Sequence, residues 1–250
     1  MTPLSYQLYS SRNFGPMEKT LKMVADLGYR QVEGYGALYA SLDDADGLMA
    51  AMSENNLTMP SGHVGLDMVE TDPKRVIGVA GTLGMTHVFV PHLAADQRPD
   101  DDDGWRAFGA RLAEAGKPLK DAGLAFGWHN HDFEFSKTGG AHPLDLILEG
   151  RPDLDLELDV AWVVRGGQDP KAWIEKYAGR LVAAHVKDIA APGECADEDG
   201  WADVGHGTMD WAGLMEALKR ADCRLFVLEH DNPSDDARFA RRSIDFLNSL

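Results

Sequence analysis

The sequence predicts one (β/α)8 barrel, or TIM barrel, spanning residues 1–250. Short β-branched or apolar runs alternate with longer amphipathic segments, and the alternation repeats about eight times along the chain. Eight βα units in 250 residues is the usual size of such a barrel. No Pro/Ser-rich linker divides the chain. The alternative, an open doubly wound sheet, would normally carry a Gly-x-Gly-x-x-Gly loop, and the sequence has none.

The predicted strands are short apolar runs that end at polar residues. In chain order they are Leu4–Tyr9, Gln31–Gly34, Thr58–His63, His87–His92, Leu124–His131, Leu154–Val160, Leu181–Lys187 and Arg224–His230. The predicted helices between them are Met17–Gly28, Asp44–Asn55, Pro73–Gly84, Trp105–Gly123, Pro143–Gly150, Pro170–Gly179, Trp211–Asp222 and Asp235–Leu250. Asp-Pro pairs at 72–73 and 169–170 are typical of an N-cap followed by proline in the first helical position.

Composition and charge exclude several classes of function. The formal net charge of −17 repels nucleic acid phosphates, so we expect no nucleic acid partner. No apolar run approaches membrane-spanning length, so we expect no membrane partner. The first residues lack the basic flank and apolar core of a secretory signal, and Cys195 and Cys223 are too few and too distant for a disulfide framework. We therefore expect a cytoplasmic protein.

Potential ligands gather where the predicted strands end. The carboxyl ends of barrel strands carry the active site in this fold class. Six of the nine histidines occur there, which scattered surface histidines would not do. The residues at these ends are Gln7, Glu33, His63, His92, His129, His131, Asp159, His185, Lys187, Asp188, Glu229 and His230.

Strand alternation selects which of these side chains face the barrel. In Asp155–Asp159 the leucines face the helices, which directs the three acidic side chains inward. By the same alternation His185 and Glu229 point inward, so Asp159, His185 and Glu229 can converge above the barrel. Buried carboxylates need a compensating positive charge. The sequence therefore predicts one divalent metal ion, and the oxygen-rich donor set favours Mn, Mg, Co or Zn.

The chain resembles the sugar phosphate isomerase/epimerase family, which has a xylose isomerase-like TIM barrel and is related to inosose dehydratase, ketose 3-epimerases, hydroxypyruvate isomerase and, more distantly, endonuclease IV. The matching segments occur in the expected order along nearly the whole chain. They are Gln7–Tyr9, His129–Phe135, Leu158–Trp162, His185–Asp188, Val204–Trp211 and Leu228–Asp231. One departure is Gly205-His206-Gly207, where similar proteins often have Gly-Glu-Gly.

The resemblance implies four metal ligands, one from each of the last four strands or the loops after them. Carried onto this chain they are Glu134, Asp159, His185 and Glu229. Strand parity instead favours His129 and His131 on the fifth strand, so Glu134 would need a bulge or the loop to bring it round. His131 is the substitute ligand.

Such a site supports proton abstraction next to a carbonyl through a metal-stabilised enediolate. We assign Glu134 and Glu229 as the catalytic acid and base, with His129 and Lys187 as further catalytic residues. A structural ion pair of Lys187 with Asp188 or Glu157 is the alternative role for this lysine. The residues expected to bind or orient the sugar are Glu33, His63, His92, His131, Trp162 and Arg165. The predicted enzyme is an isomerase or epimerase of a sugar or keto-sugar, either free or phosphorylated. A homodimer is common among similar proteins.

Three other functions remain open. A lyase would eliminate water or a glycosidic leaving group from a 3-keto sugar, keto-glycoside or inosose after the same proton abstraction. An abasic endonuclease fits poorly with the net charge of −17. The third of these is a sugar-binding barrel without catalytic activity.

Overall fold

Eight parallel strands close into a barrel in the computed structural model, which describes residues 3–250. The barrel strands are β1 (Leu4–Gln7), β2 (Gln31–Gly34), β3 (Thr58–His63), β4 (His87–Val90), β5 (Ala125–His129), β6 (Asp155–Asp159), β7 (Leu181–Val186) and β10 (Leu225–Leu228). A two-stranded antiparallel hairpin, β8 (Asp188–Ile189) and β9 (Trp201–Ala202), lies between β7 and β10 in the chain. Around the barrel the order is β1-β10-β7-β6-β5-β4-β3-β2, so the predicted TIM barrel is confirmed.

Ten helices connect the strands within residues 3–250. They are α1 (Met17–Asp26), α2 (Leu42–Glu54), α3 (Leu66–Thr71), α4 (Pro73–Leu83), α5 (Asp102–Asp121), α6 (Pro143–Leu148), α7 (Val160–Arg165), α8 (Pro170–Lys176), α9 (Trp211–Arg220) and α10 (Asp236–Asn248). Eight of them match predicted helices, whereas α3 and α7 were missed. Each of these two is a six-residue helix, which is too short to display an amphipathic period. No helix in the described part of the chain is long and apolar enough to cross a membrane.

Side-chain caps define several helix starts. Asp72 accepts a hydrogen bond from the Arg75 N–H at the start of α4, and Asp169 accepts one from the Lys171 N–H at the start of α8, both as predicted. Asp101 accepts from the Gly104 N–H at 2.7 Å, so α5 begins three residues earlier than the prediction. These caps set where each helix leaves the barrel edge.

Apolar side chains fill the barrel interior beneath a layer of ionisable side chains at the carboxyl ends of the strands. Phe89, Ala183 and Leu225 form a small cluster separate from the main core. Ala183 lies two residues before His185 on β7, so the apolar layer lies directly beneath the predicted site. On the opposite face of β5, Trp128 packs against Phe108 of α5 with ring centroids 5.3 Å apart. The predicted alternation of inward polar and outward apolar side chains is therefore present.

Strand β5 approaches β6 closely at Gly127. Its register partner is Asp155, and a Cβ on Gly127 would lie 2.2 Å from the Asp155 carbonyl oxygen. A contact of that length with backbone cannot be relieved by a side-chain rotation. Only glycine fits here without moving one strand relative to the other.

We expect Gly127→Ala to lower the free energy of unfolding by about 1–3 kcal/mol, because the added methyl group overpacks the strand pair. Gly81→Ala is the matched control. It lies in α4 with no described atom within 4 Å of the added Cβ, so the same substitution should stabilise by about 0.5–1 kcal/mol. Urea unfolding monitored by circular dichroism measures both values. Equal effects of the two substitutions would contradict the close approach of the strands.

Candidate metal centre and substrate pocket

A pocket of about 550 Å³ opens at the carboxyl ends of the barrel strands. Its lining includes four imidazoles, an indole, three carboxylates, two phenol rings and a guanidinium, and the last three groups lie at the mouth, where Tyr9 is exposed. In this order the residues are His63, His92, His129, His131, Trp162, Asp199, Glu229, Asp231, Tyr9, Tyr35 and Arg12. Arg12 lies over the Tyr9 ring at 4.0 Å, and Tyr9 meets Tyr35 edge to face.

Three predicted ligands converge beside this pocket. One ligand atom each from Asp159, His185 and Glu229 lies within 4.8 Å of the other two, and all three residues are buried. The His185 Nδ1 atom is 2.8 Å from the Glu229 Oε2 atom and 4.0 Å from the Asp159 Oδ2 atom. Their strands β6, β7 and β10 are neighbours, and Asp159 is the register partner of His185. The convergence follows from adjacent strands with matching phase.

The two carboxylate oxygens of Asp159 have different surroundings. Oδ1 accepts a hydrogen bond from the Trp162 N–H at 2.9 Å, which caps α7 and fixes the side chain. Oδ2 is buried and makes no hydrogen bond of good geometry among residues 3–250, although the Lys187 Nζ atom lies 3.1 Å away. Two carboxylates and one imidazole form a donor set that fits a divalent cation, so the residues present suit the predicted metal.

Lys187 lies beneath the pocket rather than in its wall. Its Nζ is 3.1 Å from Asp159 Oδ2, 2.9 Å from Glu229 Oε2 and 3.0 Å from Asp231 Oδ1. Burial lowers the pKa of Lys187, but the three carboxylates outweigh it and raise the pKa above its ordinary value. The ammonium therefore stays charged and holds the acids together.

A second cluster of ionisable side chains lies deeper in the barrel. The Glu157 Oε2 atom is 2.6 Å from His63 Nε2, 3.1 Å from His129 Nδ1 and 3.3 Å from His185 Nε2. Glu33 adds a second carboxylate, with its Oε1 atom 2.8 Å from His185 Nε2. All five residues are buried. His185 therefore faces Glu229 with one ring nitrogen and the two inner glutamates with the other.

Charge compensation inside this second cluster shifts the pKa of its members. Burial lowers the pKa of His185, but Glu157, Glu229 and Glu33 outweigh it and raise the pKa well above the ordinary value. Burial raises the pKa of Glu157, but His185 and His63 outweigh it and hold the pKa well below its usual range. Burial and the Glu157 charge raise the pKa of Glu33. These groups therefore ionise as a unit.

Two histidines in the pocket wall are neutral. Burial and the neighbouring His185 lower the pKa of His129 to about 4. Because His129 Nδ1 faces the Glu157 carboxylate at 3.1 Å, that nitrogen carries the proton and Nε2 is the basic one. Burial and His129 lower the pKa of His131 well below its ordinary value, and its ring lies 5.4 Å from the Trp162 ring. His131 belongs to neither ligand cluster of the described residues.

Glu134 does not reach either cluster. Its carboxylate accepts hydrogen bonds from the Trp128 indole N–H and from the His131 backbone N–H, both at 2.9 Å. The 3₁₀ turn at Phe133–Phe135 directs Glu134 toward Trp128, whose ring faces the helices. The expectation that the loop brings Glu134 round to the barrel is therefore wrong for this structure. Burial raises the pKa of Glu134 to about 8.

Two predicted sugar-binding residues also lie outside the pocket wall. Glu33 is fully buried beneath the pocket, where Gln7 donates to it at 2.8 Å and Ser61 also donates. Arg165 stacks on the Trp201 ring at 3.2 Å and donates to the Asp199 carbonyl. The remaining predicted sugar contacts, His63, His92, His131 and Trp162, do line the pocket.

Sequence reasoning missed two acidic residues of the centre. Glu157 was expected to face the barrel, but it received no role because it lies two residues before the strand end. Asp231 follows the last barrel strand in the matched motif, lines the pocket and binds Lys187. Burial, Glu229 and Asp159 raise the pKa of Asp231 to about 6, although Lys187 opposes them. The position of Asp231, two residues after Glu229, was the sequence signal that could have identified it as part of the site.

His206 is exposed on the loop after β9 and lies outside the pocket wall. The loop is held by the Asp188 carboxylate, which accepts hydrogen bonds from the backbone N–H groups of Gly205, Gly207 and Met209. A Cβ on Gly207 would lie 2.3 Å from Asp188 Oδ1. The glycines of Gly205-His206-Gly207 thus serve the loop geometry.

We expect Glu134→Gln to change the pH dependence of stability. Between about pH 4.5 and pH 8 folded Glu134 keeps a proton that the unfolded chain has lost, so its stabilising contribution falls as the pH rises. The unfolding free energy of wild type minus that of the variant should therefore decrease by roughly 1 kcal/mol per pH unit in this window. Glu54→Gln, at an exposed position in α2, is the control and should show no such trend. A difference independent of pH would contradict a buried Glu134 with a raised pKa.

Solved structures with the same fold come from proteins with different names and activities. A sugar phosphate isomerase/epimerase from Parabacteroides distasonis is 21% identical, has a TM-score of 0.83, and its alignment covers 100% of this chain and 94% of that chain. The IolI protein with a bound zinc atom is 15% identical, with a TM-score of 0.80 and coverage of 99% and 97%. The probable 3-DHS dehydratase AsbF from Bacillus anthracis is 12% identical, with a TM-score of 0.77 and coverage of 98% of each chain. At these identities the similarity establishes the fold alone.

No curated protein matches the chain significantly. The family model described as xylose isomerase-like TIM barrel matches residues 21–250, which is most of the chain. Together with the closed barrel and the ionisable centre at its carboxyl end, this match shows that the chain belongs to the xylose isomerase-like TIM barrel family.

Proposed function

We propose that the protein is a divalent-metal-dependent isomerase or epimerase of a sugar or keto-sugar. The observation that carries this proposal is the convergence of Asp159, His185 and Glu229 at the base of a pocket lined by imidazoles and an indole. Such a site combines a position for a cation with groups that can exchange protons and a surface that can stack on a sugar ring.

Asp159, His185 and Glu229 would hold the metal ion. When bound, the ion would act as a Lewis acid that stabilises negative charge on adjacent substrate oxygens. The convergence of two carboxylates and one imidazole supports this assignment, and Lys187 holds Asp159 and Glu229 together from below. Lys187 is thus a positioning residue, because it lies outside the pocket wall.

His129 and Glu229 are the proposed proton-transfer groups. Both line the pocket. The His129 ring is neutral, and its Nδ1–H is directed to Glu157, so Nε2 can accept a proton from substrate. Burial raises the pKa of Glu229, but Lys187 and His185 outweigh it and hold the pKa well below its usual range, so Glu229 is ionised near neutral pH. Glu134 is not part of this proposal because its carboxylate is bound to Trp128 and His131.

The charge of the pocket favours an unphosphorylated sugar. Arg12 at the mouth is the one cationic side chain among its described lining residues, whereas Asp199, Glu229 and Asp231 are acidic. A phosphate dianion in this pocket would therefore meet three carboxylates and one guanidinium. Trp162, next to His131, offers a flat surface for the sugar ring.

A lyase acting on a 3-keto sugar, keto-glycoside or inosose is the second candidate. Its supporting observation is the aromatic mouth at Tyr9 and Tyr35, which extends the pocket beyond the buried acids and gives room for a leaving group. The same proton abstraction would begin both reactions, so the fate of the substrate separates them.

Proton NMR in heavy water tests the reaction class. We expect the metal-loaded protein, incubated with unphosphorylated keto-sugars, to place solvent deuterium on a carbon next to the carbonyl while the carbon skeleton is retained. Loss of water or of an aglycone would identify the lyase instead. Neither deuterium incorporation nor elimination across a panel of free and phosphorylated keto-sugars would contradict the proposed enzyme.

We expect Glu229→Gln to lower kcat/KM by about 10²-fold or more, because the variant loses a carboxylate in the pocket wall that both binds the metal and exchanges protons. Glu216→Gln, an exposed substitution in α9, is the matched control and should keep wild-type activity and metal content. Activity and metal content of Glu229→Gln equal to those of wild type would contradict the assigned site. Inductively coupled plasma mass spectrometry measures the metal.

A further inference from the structure

Four residues of the second ionisable cluster have the composition of a metal site in their own right. One ligand atom from each of His63, His129, Glu157 and His185 lies within 4.8 Å of the other three. The four residues lie on strands β3, β5, β6 and β7. Strands β5, β6 and β7 are neighbours, and β4 lies between β3 and β5. All four residues are almost completely buried. Three imidazole nitrogens and one carboxylate oxygen form a donor set that suits Zn²⁺ or Co²⁺.

A second, independent observation is a buried oxygen with no partner. The Oε2 atom of Glu157 is shared by three imidazole nitrogens at 2.6–3.3 Å, while its Oε1 atom is buried without a hydrogen-bond partner within residues 3–250. An ionised carboxylate gains most when both oxygens have partners, and a buried one without a partner costs free energy.

Formal charge supplies the third argument. Within residues 3–250 the two clusters and their direct partners contain five carboxylates, and Lys187 is the one ammonium group that contacts them. Four negative charges therefore remain once the histidines are neutral, as metal binding requires. One divalent ion at Asp159, His185 and Glu229 would compensate half of them, so the interior can accept a second divalent ion.

We propose that His63, His129, Glu157 and His185 form a second divalent-cation site, beneath the one proposed for Asp159, His185 and Glu229. His185 belongs to both sites, with Nδ1 facing Glu229 and Nε2 facing both Glu33 and Glu157. Ions bound at both ring nitrogens would displace both N–H protons of the protonated His185 ring to solvent. This second site is tested by metal content alone. With an ion at His129 Nδ1, the ring proton lies on Nε2, so His129 would then donate a proton to substrate rather than accept one.

Metal stoichiometry tests the second site. The chelator-treated full-length protein is dialysed against excess Co²⁺ and then measured by inductively coupled plasma mass spectrometry. We expect two ions per wild-type chain and one ion per chain in Glu157→Gln. Glu157→Gln should also lose the strong visible absorption of four-coordinate Co²⁺, whereas Asp159→Asn should keep it. One ion per wild-type chain would overturn the proposal.

Asp155→Asn is the matched control for Glu157→Gln. Asp155 lies on the same strand with the same phase, two residues lower and outside both ligand clusters, so this variant should bind two ions. His63→Gln provides a second route if Glu157→Gln fails to fold by circular dichroism, and it too should bind one ion. Two ions in either folded site variant would overturn the second site. Turnover in heavy water is measured separately, so failure of the proposed reaction is distinguishable from failure of this site.

Discussion

The negative charge buried at the top of the barrel is the constraint on which the rest of the centre depends. Glu33, Glu157, Asp159 and Glu229 are buried side by side, and an uncompensated ionised carboxylate in such a place costs several kcal/mol. Lys187 and the imidazoles provide the compensation that the chain itself supplies. The apolar layer of Phe89, Ala183 and Leu225 below them excludes water from that side. This requirement explains why so many histidines occupy strand ends.

His185 connects the two parts of the centre. Its fully buried ring is 2.8 Å from Glu229 through Nδ1 and 2.8 Å from Glu33 through Nε2. Each ring nitrogen thus has an acidic partner on a different strand, which fixes the ring orientation. A change in charge on either side of the ring alters the energy of the other side, since one imidazole carries both contacts.

The loop after β5 separates residues that the sequence places together. His129 and His131 line the pocket, whereas Glu134 lies against Trp128 on the helix side. Two features of the backbone cause this separation: strand β5 ends at His129, and a 3₁₀ turn follows at Phe133–Phe135. The alternation of inward and outward side chains along a strand does not continue through such a turn. The Trp128 indole N–H therefore donates a hydrogen bond to Glu134 on the helix side.

The sequence by itself determined the barrel, its eight strands and the inward phase of Asp159, His185 and Glu229, because short periodic patterns and strand ends are local properties. Tertiary structure alone decided the partners: Lys187 with Asp231, Glu157 with three histidines, and Arg165 with Trp201. These contacts join residues from different strands and loops, whose relative height in the barrel depends on register and on turn geometry. Periodicity gives the direction of a side chain but not that height, so it could not assign Glu134 or Glu157 correctly.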